Sequence, residues 1–157
     1  MSNKWILGAR PKTLPAAIVP VLLGTAASFE EEFSLFPAIL CLIVSLALQV
    51  GVNYANDYSD GIRGNDGPDR TGPTRLVGGG LASTSEVLKA SLIMFVIAAL
   101  SGVCLAIITT LWFIPIGLAC FLGAWFYTGG SKPYGYRGFG EVSVFVFFGL
   151  IATNGSF

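Results

Sequence analysis

The sequence predicts an all-α protein: a polytopic bundle of transmembrane helices, with about four full spans and a truncated fifth. Hydrophobic residues make up 54% of the 157 residues. Charged residues make up only 11%, whereas a soluble domain carries roughly 25%. The charged residues are also confined to short segments, so long uncharged runs separate them. Because backbone polar groups inside lipid need partners within their own segment, these runs are predicted to be helices.

Four uncharged runs define the predicted spans, which we assign to a single membrane domain covering residues 1–157. Residues 13–29 and 33–56 fit one helix each, since a spanning helix needs about 20 apolar residues. The run 90–131 is long enough for two helices, with a turn near residues 109–115. The run 142–157 begins a fifth helix, which the end of the chain cuts off.

All nine positive residues fall on one side of the predicted membrane. They precede the first span or lie in two loops, at about residues 57–89 and 129–141: Lys4, Arg10, Lys12, Arg63, Arg70, Arg75, Lys89, Lys132 and Arg137. Because Lys and Arg concentrate in cytoplasmic loops, the N-terminus and both loops are predicted to be cytoplasmic.

Composition also excludes several classes of function. The formal net charge is zero, so no electrostatic case exists for a nucleic-acid partner. The sequence contains no histidine, which removes the commonest general base and metal ligand. Its three cysteines lie in apolar stretches without zinc-like spacing and are interpreted as small hydrophobic residues.

The first loop is the most informative segment, because its polar residues continue the second span. Asn53, Asp57 and Asp60 stand at i, i+4 and i+7, which places them on one face of a helix. Gly61 and Gly64 then permit the helix to end. Ionisable groups this close to a span are costly and point to function.

This carboxylate face is predicted to hold Mg²⁺. Magnesium takes oxygen ligands and is typically bound by one or two carboxylates together with substrate phosphates. Arg63, Arg70 and Arg75 lie close in sequence, and arginine binds phosphate bidentately. Backbone N–H groups of residues 78–80 are a further candidate for anion contact. The alternative left open is a plain solvated loop of mixed charge.

The second loop contains Lys132 and Arg137 among three tyrosines. Tyrosines belong at membrane interfaces in any case, and that explanation is the better one for at least one of these three. The two cations are either ordinary cytoplasmic charges or ligands of the same diphosphate as the first loop. The sequence favours neither of these two roles for Lys132 and Arg137 over the other.

Three stretches resemble the UbiA superfamily of membrane prenyltransferases. They are the aspartate-rich run from Asn53 to Pro73, the segment ARPKTLPAA at residues 9–17, and YTGGSKPYGYRGFGEV at residues 127–142. They are most similar to the branch that prenylates 1,4-dihydroxy-2-naphthoate in menaquinone biosynthesis. The resemblance covers most of the chain.

The resemblance implies nine transmembrane helices around a central cavity, in a prokaryotic inner (plasma) membrane. It also implies Mg²⁺-dependent transfer of a polyprenyl chain from its diphosphate to 1,4-dihydroxy-2-naphthoate, with decarboxylation, giving demethylmenaquinone. Asp57, Asp60 and Arg63 are then the expected catalytic residues, and Asp57, Asp60 and Asp66 the metal ligands. The expected substrate-binding residues are Asn53, Asn56, Lys12, Arg70, Lys132 and Arg137.

The sequence departs from the family in one respect. The family has a second aspartate-rich motif after its sixth helix, whereas this chain ends within the predicted fifth. We therefore expect a truncated copy with about half of the enzyme. Two alternatives remain: a non-catalytic membrane fragment, and a related prenyltransferase with another aromatic acceptor. A channel or transporter is disfavoured, because transporters place polar groups near the midplane of the bilayer.

Overall fold

A computed structural model describes residues 3–28, 33–66 and 72–157, and within these ranges the protein is helical without strands. The main helices are α1 (Lys4–Ala9), α2 (Pro15–Ala27), α3 (Leu35–Arg63), α4 (Thr84–Ile108) and α5 (Phe113–Thr128). A C-terminal helical segment follows, made of α6 (Gly140–Val144), a π-helical stretch (Phe145–Ala152) and α7 (Thr153–Gly155). Short 3₁₀ turns occupy Pro11–Thr13 and Tyr134–Arg137.

The helices confirm the predicted membrane architecture. Helices α3 and α4 are each long and apolar enough to cross a bilayer. The first two helices form a third candidate span, bent by 54° where they meet. Helix α5 and the segment Gly140–Gly155 are shorter apolar helices. With 16 residues, α5 extends about 24 Å, less than the roughly 30 Å of a hydrocarbon core.

The predicted end of α3 near Gly64 and the predicted turn between α4 and α5 are confirmed, whereas the role predicted for Gly61 is corrected. Helix α3 ends at Arg63, and Gly64 follows in the left-handed conformation with φ of 70°. The turn between α4 and α5 falls at residues 109–112, as predicted. Gly61, however, lies inside α3. A Cβ at that position would lie 2.3 Å from Cγ1 of Val77, so Gly61 is required for close packing and does not end the helix.

Helices α3 and α4 pack closely because a glycine lies at their contact. A Cβ on Gly51 would lie 2.9 Å from the ring of Phe95, so a larger residue does not fit there. One turn away, the buried Ser91 hydroxyl donates to the Gly51 carbonyl at 2.9 Å. Small residues and hydroxyl donors at helix contacts are typical of packing inside membranes.

The N-terminal segment lies along α3 and is held there by side-chain hydrogen bonds. Ser45 donates to the carbonyl of Ala17 at 2.9 Å, and Tyr54 donates to the carbonyl of Trp5 at 2.8 Å. Between α1 and α2 the chain turns at Arg10, whose φ is 52°. The turn brings both short helices against the same neighbour.

Leu76 anchors the first loop to this helical base. Its side chain is fully buried in a cluster with Tyr54, Ala82 and Val87. A Cβ on Gly8 would lie only 2.5 Å from Cδ1 of Leu76, which shows how tightly α1 covers it. The position of the residues on either side of Leu76 is therefore fixed, and these residues contact the aspartates of α3.

Candidate functional site

Asp57 binds the backbone of the first loop. It is only 1% exposed, and its two oxygens accept hydrogen bonds from the N–H groups of Leu76 (3.0 Å) and Val77 (3.3 Å). Two successive N–H groups facing one carboxylate form an anion-binding turn. In this structure the anion of the turn is a side chain of the protein itself.

Two of the three glycines that follow use their N–H groups within the loop itself. The N–H groups of Gly79 and Gly80 donate to the carbonyls of Arg75 and Val77, both at 3.0 Å. These bonds close a tight turn, in which Gly80 has a φ of 67°. The glycines thus shape the loop, and the residues before them contact the carboxylate.

Asp60 lies one turn further along α3 and is 9% exposed. Its Oδ1 accepts a hydrogen bond from the Tyr136 hydroxyl at 2.5 Å and one from the Asn65 amide at 3.4 Å. Its Oδ2 lies 3.6 Å from Nη2 of Arg75. The two oxygens of this carboxylate therefore have different partners, one hydrogen-bonded and one facing a cation.

Arg75 lies between two carboxylates. Besides its contact with Asp60, its Nε lies 3.8 Å from Oδ1 of Asp66. The arginine side chain is 14% exposed, and that of Asp66 is 4% exposed. Gly78 permits this arrangement, because a Cβ there would lie 2.4 Å from the Cβ of Asp66. Asp60 and Asp66 thus converge on one positive charge.

Arg63 connects the end of α3 to the end of α5. Its guanidinium donates to the carbonyls of Thr128 (2.9 Å) and Gly130 (2.8 Å), and it lies 5.5 Å from the centre of the Tyr136 ring. Cations near a helix C-terminus interact favourably with its free carbonyls. The contacts of Arg63 are those of a connecting residue, and its expected catalytic role remains a prediction.

Asn53 shares the buried face of α3 with the two aspartates, as predicted, but contacts the N-terminal segment. Its amide nitrogen donates to the carbonyl of Ala9 at 2.8 Å and to the hydroxyl of Thr13 at 2.9 Å. Its Oδ1 accepts from Gln49 at 3.4 Å. Both amide protons are therefore used in holding the helices together.

The other expected substrate-binding residues are more open. In the described ranges, the side chains of Lys12, Lys132 and Arg137 are exposed and contact no carboxylate. Asn56 is partly buried and makes no side-chain hydrogen bond to the described residues. Arg70, together with Asp69, lies outside the described residues.

The tyrosines of the second loop divide into two roles. Tyr134 donates to the Gly123 carbonyl at 2.7 Å and lies 3.1 Å from the Ser143 hydroxyl, so it joins α5 to α6. Burial raises the pKa of Tyr134. For Tyr136, burial, followed by the hydrogen bond to the charged Asp60, raises the pKa to about 12. Only Tyr136 reaches the aspartates.

The donor set fits a magnesium ion best at Asp60 and Asp66. No group of three or more acidic or thiol side chains in the described ranges is placed to hold a metal. Two converging carboxylates nevertheless match the ligands that Mg²⁺ takes when phosphate completes its shell. Asp57 fits less well, since both of its oxygens already accept backbone hydrogen bonds.

Sequence reasoning missed Asn65 and Tyr136 as site residues, and it identified Arg75 only as one of three arginines able to bind phosphate. Arg75 carries no spacing signal that separates it from its neighbours Arg63 and Arg70. For Tyr136, an interfacial position is a sufficient explanation from the sequence. A signal exists only for the loop as a whole, because arginines are interspersed with aspartates along it.

The fold and the site together define a polytopic helical membrane protein with a charged site at one end of its bundle. The chain belongs to the UbiA prenyltransferase family, whose model matches residues 17–157. No solved structure matches the chain.

Three relatives show how far the similarity extends. The chain is 54% identical over 154 residues to a 1,4-dihydroxy-2-naphthoate octaprenyltransferase of Mycobacterium tuberculosis, covering 98% of this chain and 52% of the relative. It is 39% identical to the enzyme of that name from Escherichia coli, covering 99% and 53%. It is 26% identical to human UbiA prenyltransferase domain-containing protein 1, covering 95% and 45%. The chain thus spans about half the length of these relatives.

Proposed function

We propose that the protein containing this chain transfers a polyprenyl group from its diphosphate to 1,4-dihydroxy-2-naphthoate. Membership of the family and the names of the bacterial relatives support this reaction. The structural observation that carries the proposal is the convergence of Asp60 and Asp66 on a single positive charge. A pair of carboxylates arranged in this way suits a Mg²⁺–diphosphate complex.

Mg²⁺ is the proposed cofactor, and Asp60 and Asp66 are its proposed ligands. When bound, the metal supplies positive charge that stabilises the leaving diphosphate. Arg75 lies close enough to the same carboxylates to contact that diphosphate as well. Asp57, which the sequence also predicts as a ligand, holds the turn that presents Arg75. Its role in the proposal is therefore to position the first loop.

The bond changes are those of an electrophilic substitution. The allylic C–O bond breaks, and its electron pair leaves with the diphosphate. The electron-rich naphthoate ring attacks the allylic carbon at the ring position that bears the carboxylate. Loss of CO₂ then returns an electron pair to the ring and gives the quinol form of demethylmenaquinone. Preorganised positive charge near the departing oxygens lowers the barrier of the first step.

The remaining residues bind substrate and exclude water. Exposed Lys12, Lys132 and Arg137 are proposed to attract the diphosphate to this end of the bundle. Asn56, which precedes Asp57 in α3, supplies a partly buried amide that is a further proposed substrate contact. The apolar helices hold the polyprenyl tail and keep water from the cationic allylic carbon.

The proposed location is the inner membrane, with the N-terminus and both charged loops in the cytoplasm. The contacts support one shared side, because Arg63 at the end of α3 bonds to carbonyls at the end of α5. The excess of Lys and Arg in these segments supports the cytoplasmic assignment.

The test is prenyl transfer by membranes containing the complete protein. Octaprenyl diphosphate, 1,4-dihydroxy-2-naphthoate and MgCl₂ are supplied, and the prenylated product and CO₂ are measured. D60N and D66N are expected to lower the rate by about 10²-fold or more, while E141Q, an exposed acid in the second loop, serves as the control. Full activity in both aspartate variants would refute the assignment. Product formed only with 4-hydroxybenzoate would show a different aromatic acceptor.

A further inference from the structure

Tyr136 has an orientation that an interfacial tyrosine does not have. A tyrosine of the membrane interface buries its ring and turns its hydroxyl toward water. Here the residue is 50% exposed, yet its hydroxyl points inward to the buried carboxylate of Asp60. The O–H···O distance of 2.5 Å is that of a charge-assisted hydrogen bond. This arrangement indicates that the role of the Tyr136 hydroxyl is to hydrogen-bond Asp60 and not to contact water.

The bond from Tyr136 determines how Asp60 presents its two oxygens. Oδ1 is engaged by the phenol and, more weakly, by Asn65. Oδ2 is left facing Arg75, and therefore facing the place where the carboxylates of Asp60 and Asp66 converge. A carboxylate without the phenol could turn about its Cβ–Cγ bond and offer either oxygen. The phenol removes that freedom.

Tyr136 is itself held in position from the opposite side. The guanidinium of Arg63 lies over its ring, and the same guanidinium bonds to the carbonyls of Thr128 and Gly130. The phenol is thus fixed to the ends of both α3 and α5. Because its ring contacts Arg63 and its hydroxyl contacts Asp60, the Tyr136 side chain can hold the Asp60 carboxylate in one orientation.

We infer that Tyr136 is a positioning residue that fixes Asp60 as a one-oxygen ligand for the divalent cation, with Oδ2 as the ligand atom. The inference rests on the proposed function, because that proposal supplies the cation. Mg²⁺ demands near-ideal octahedral geometry, so an aspartate held in one orientation binds it better than a mobile one. Loss of a hydrogen-bonding partner behind a metal ligand typically costs 10–100-fold in affinity for the metal.

The experiment compares Y136F with Y134F in the complete purified protein. The matched control removes a hydroxyl from the same short helix, but that hydroxyl bonds to Gly123 and Ser143 and not to an aspartate. Mn²⁺ replaces Mg²⁺ as the probe, with inorganic diphosphate present, and bound Mn²⁺ is counted by electron paramagnetic resonance. Y136F is expected to raise the Kd at least about 10-fold, and Y134F less than about twofold.

Prenyl transfer provides a second measurement. The MgCl₂ concentration for half-maximal rate should rise in Y136F, and the maximal rate should recover at high MgCl₂. A purely structural role would lower the maximal rate without this recovery.

The outcomes separate this inference from the proposed function. Wild-type protein that binds Mn²⁺, together with an unchanged Kd in Y136F, overturns the inference alone. Wild-type protein that binds no Mn²⁺ overturns the metal role in the proposed function and the inference with it. If Y136F does not fold, Y136W keeps an aromatic ring at this half-exposed position but removes the phenol. An unchanged Kd in Y136W then overturns the inference, and a rise of at least about 10-fold supports it.

Discussion

Replacing Arg75 with methionine removes the positive charge between Asp60 and Asp66 but keeps an unbranched apolar side chain in the space. The arginine lies 3.6 Å and 3.8 Å from the two carboxylates and is 14% exposed. Losing one partner of a buried ion pair costs roughly 3–5 kcal/mol. The distances exceed those of a direct charge-assisted hydrogen bond, and the exposed fraction admits some screening. We therefore expect the metal-free protein to lose about 2–3 kcal/mol.

The same substitution should change the response to magnesium in the opposite direction. Arg75 occupies the region in which the carboxylates converge, so Mg²⁺ at the proposed site would compete with it. Removing the competitor should tighten Mg²⁺ binding. A tenfold lower Kd adds about 1.4 kcal/mol of stability at saturating metal. Saturating MgCl₂ should therefore reduce the stability deficit of the variant by about half.

The assay is thermal unfolding of the complete protein in detergent, with EDTA and then with increasing MgCl₂. R75M should unfold at a temperature at least a few degrees below wild type in EDTA and should gain more from MgCl₂ than wild type does. R137M is the control, because Arg137 is an exposed arginine of the second loop. An R75M protein as stable as wild type in EDTA, or one with a smaller gain from MgCl₂, would refute this reasoning.

Three further predictions concern other parts of the site. D57A should cost about 3 kcal/mol of stability even in EDTA, because one buried and one partly buried N–H group lose their acceptor; unchanged unfolding would show that the carboxylate does not hold the turn. G78A should cost about 1–3 kcal/mol, because its Cβ would lie 2.4 Å from that of Asp66, whereas G117A has open space and should be neutral or stabilising; equal stability of the two variants would contradict this. The raised pKa of Tyr136, about 12, means that the folded protein keeps this phenol protonated at a pH where the unfolded chain ionises it. This stabilisation is complete below about pH 10 and is lost as the pH rises toward 12, so wild type should lose more stability than Y136F across that interval; parallel losses would argue against the contact.

The helical framework was predictable because it follows from local patterns. Uncharged runs located the helices, and the residue after Arg63 ended α3 because glycine adopts the left-handed conformation readily. The spacing of Asn53, Asp57 and Asp60 predicted one shared face, and all three are buried on it. Within a single helix, the spacing of residues along the sequence is enough to predict which side chains share a face.

The partners of that face were not predictable, because they depend on contacts between distant segments. Leu76 determines where the first loop lies, yet in sequence it is one apolar residue among glycines and charges. Its burial between α1 and α3 brings Arg75 to Asp60 and the N–H groups of the turn to Asp57. The identity of Tyr136 as the partner of Asp60 likewise requires the end of α5 to be in place.

The bond between Tyr136 and Asp60 also has a consequence for biosynthesis. The two residues are 76 positions apart, and α4 and α5 lie between them. During synthesis, Asp60 emerges well before the phenol that will orient it. The helical hairpin of α4 and α5 must therefore enter the membrane and return before the carboxylate acquires its final geometry. Until then the nascent chain has the acidic residues of the site without the phenol that orients Asp60.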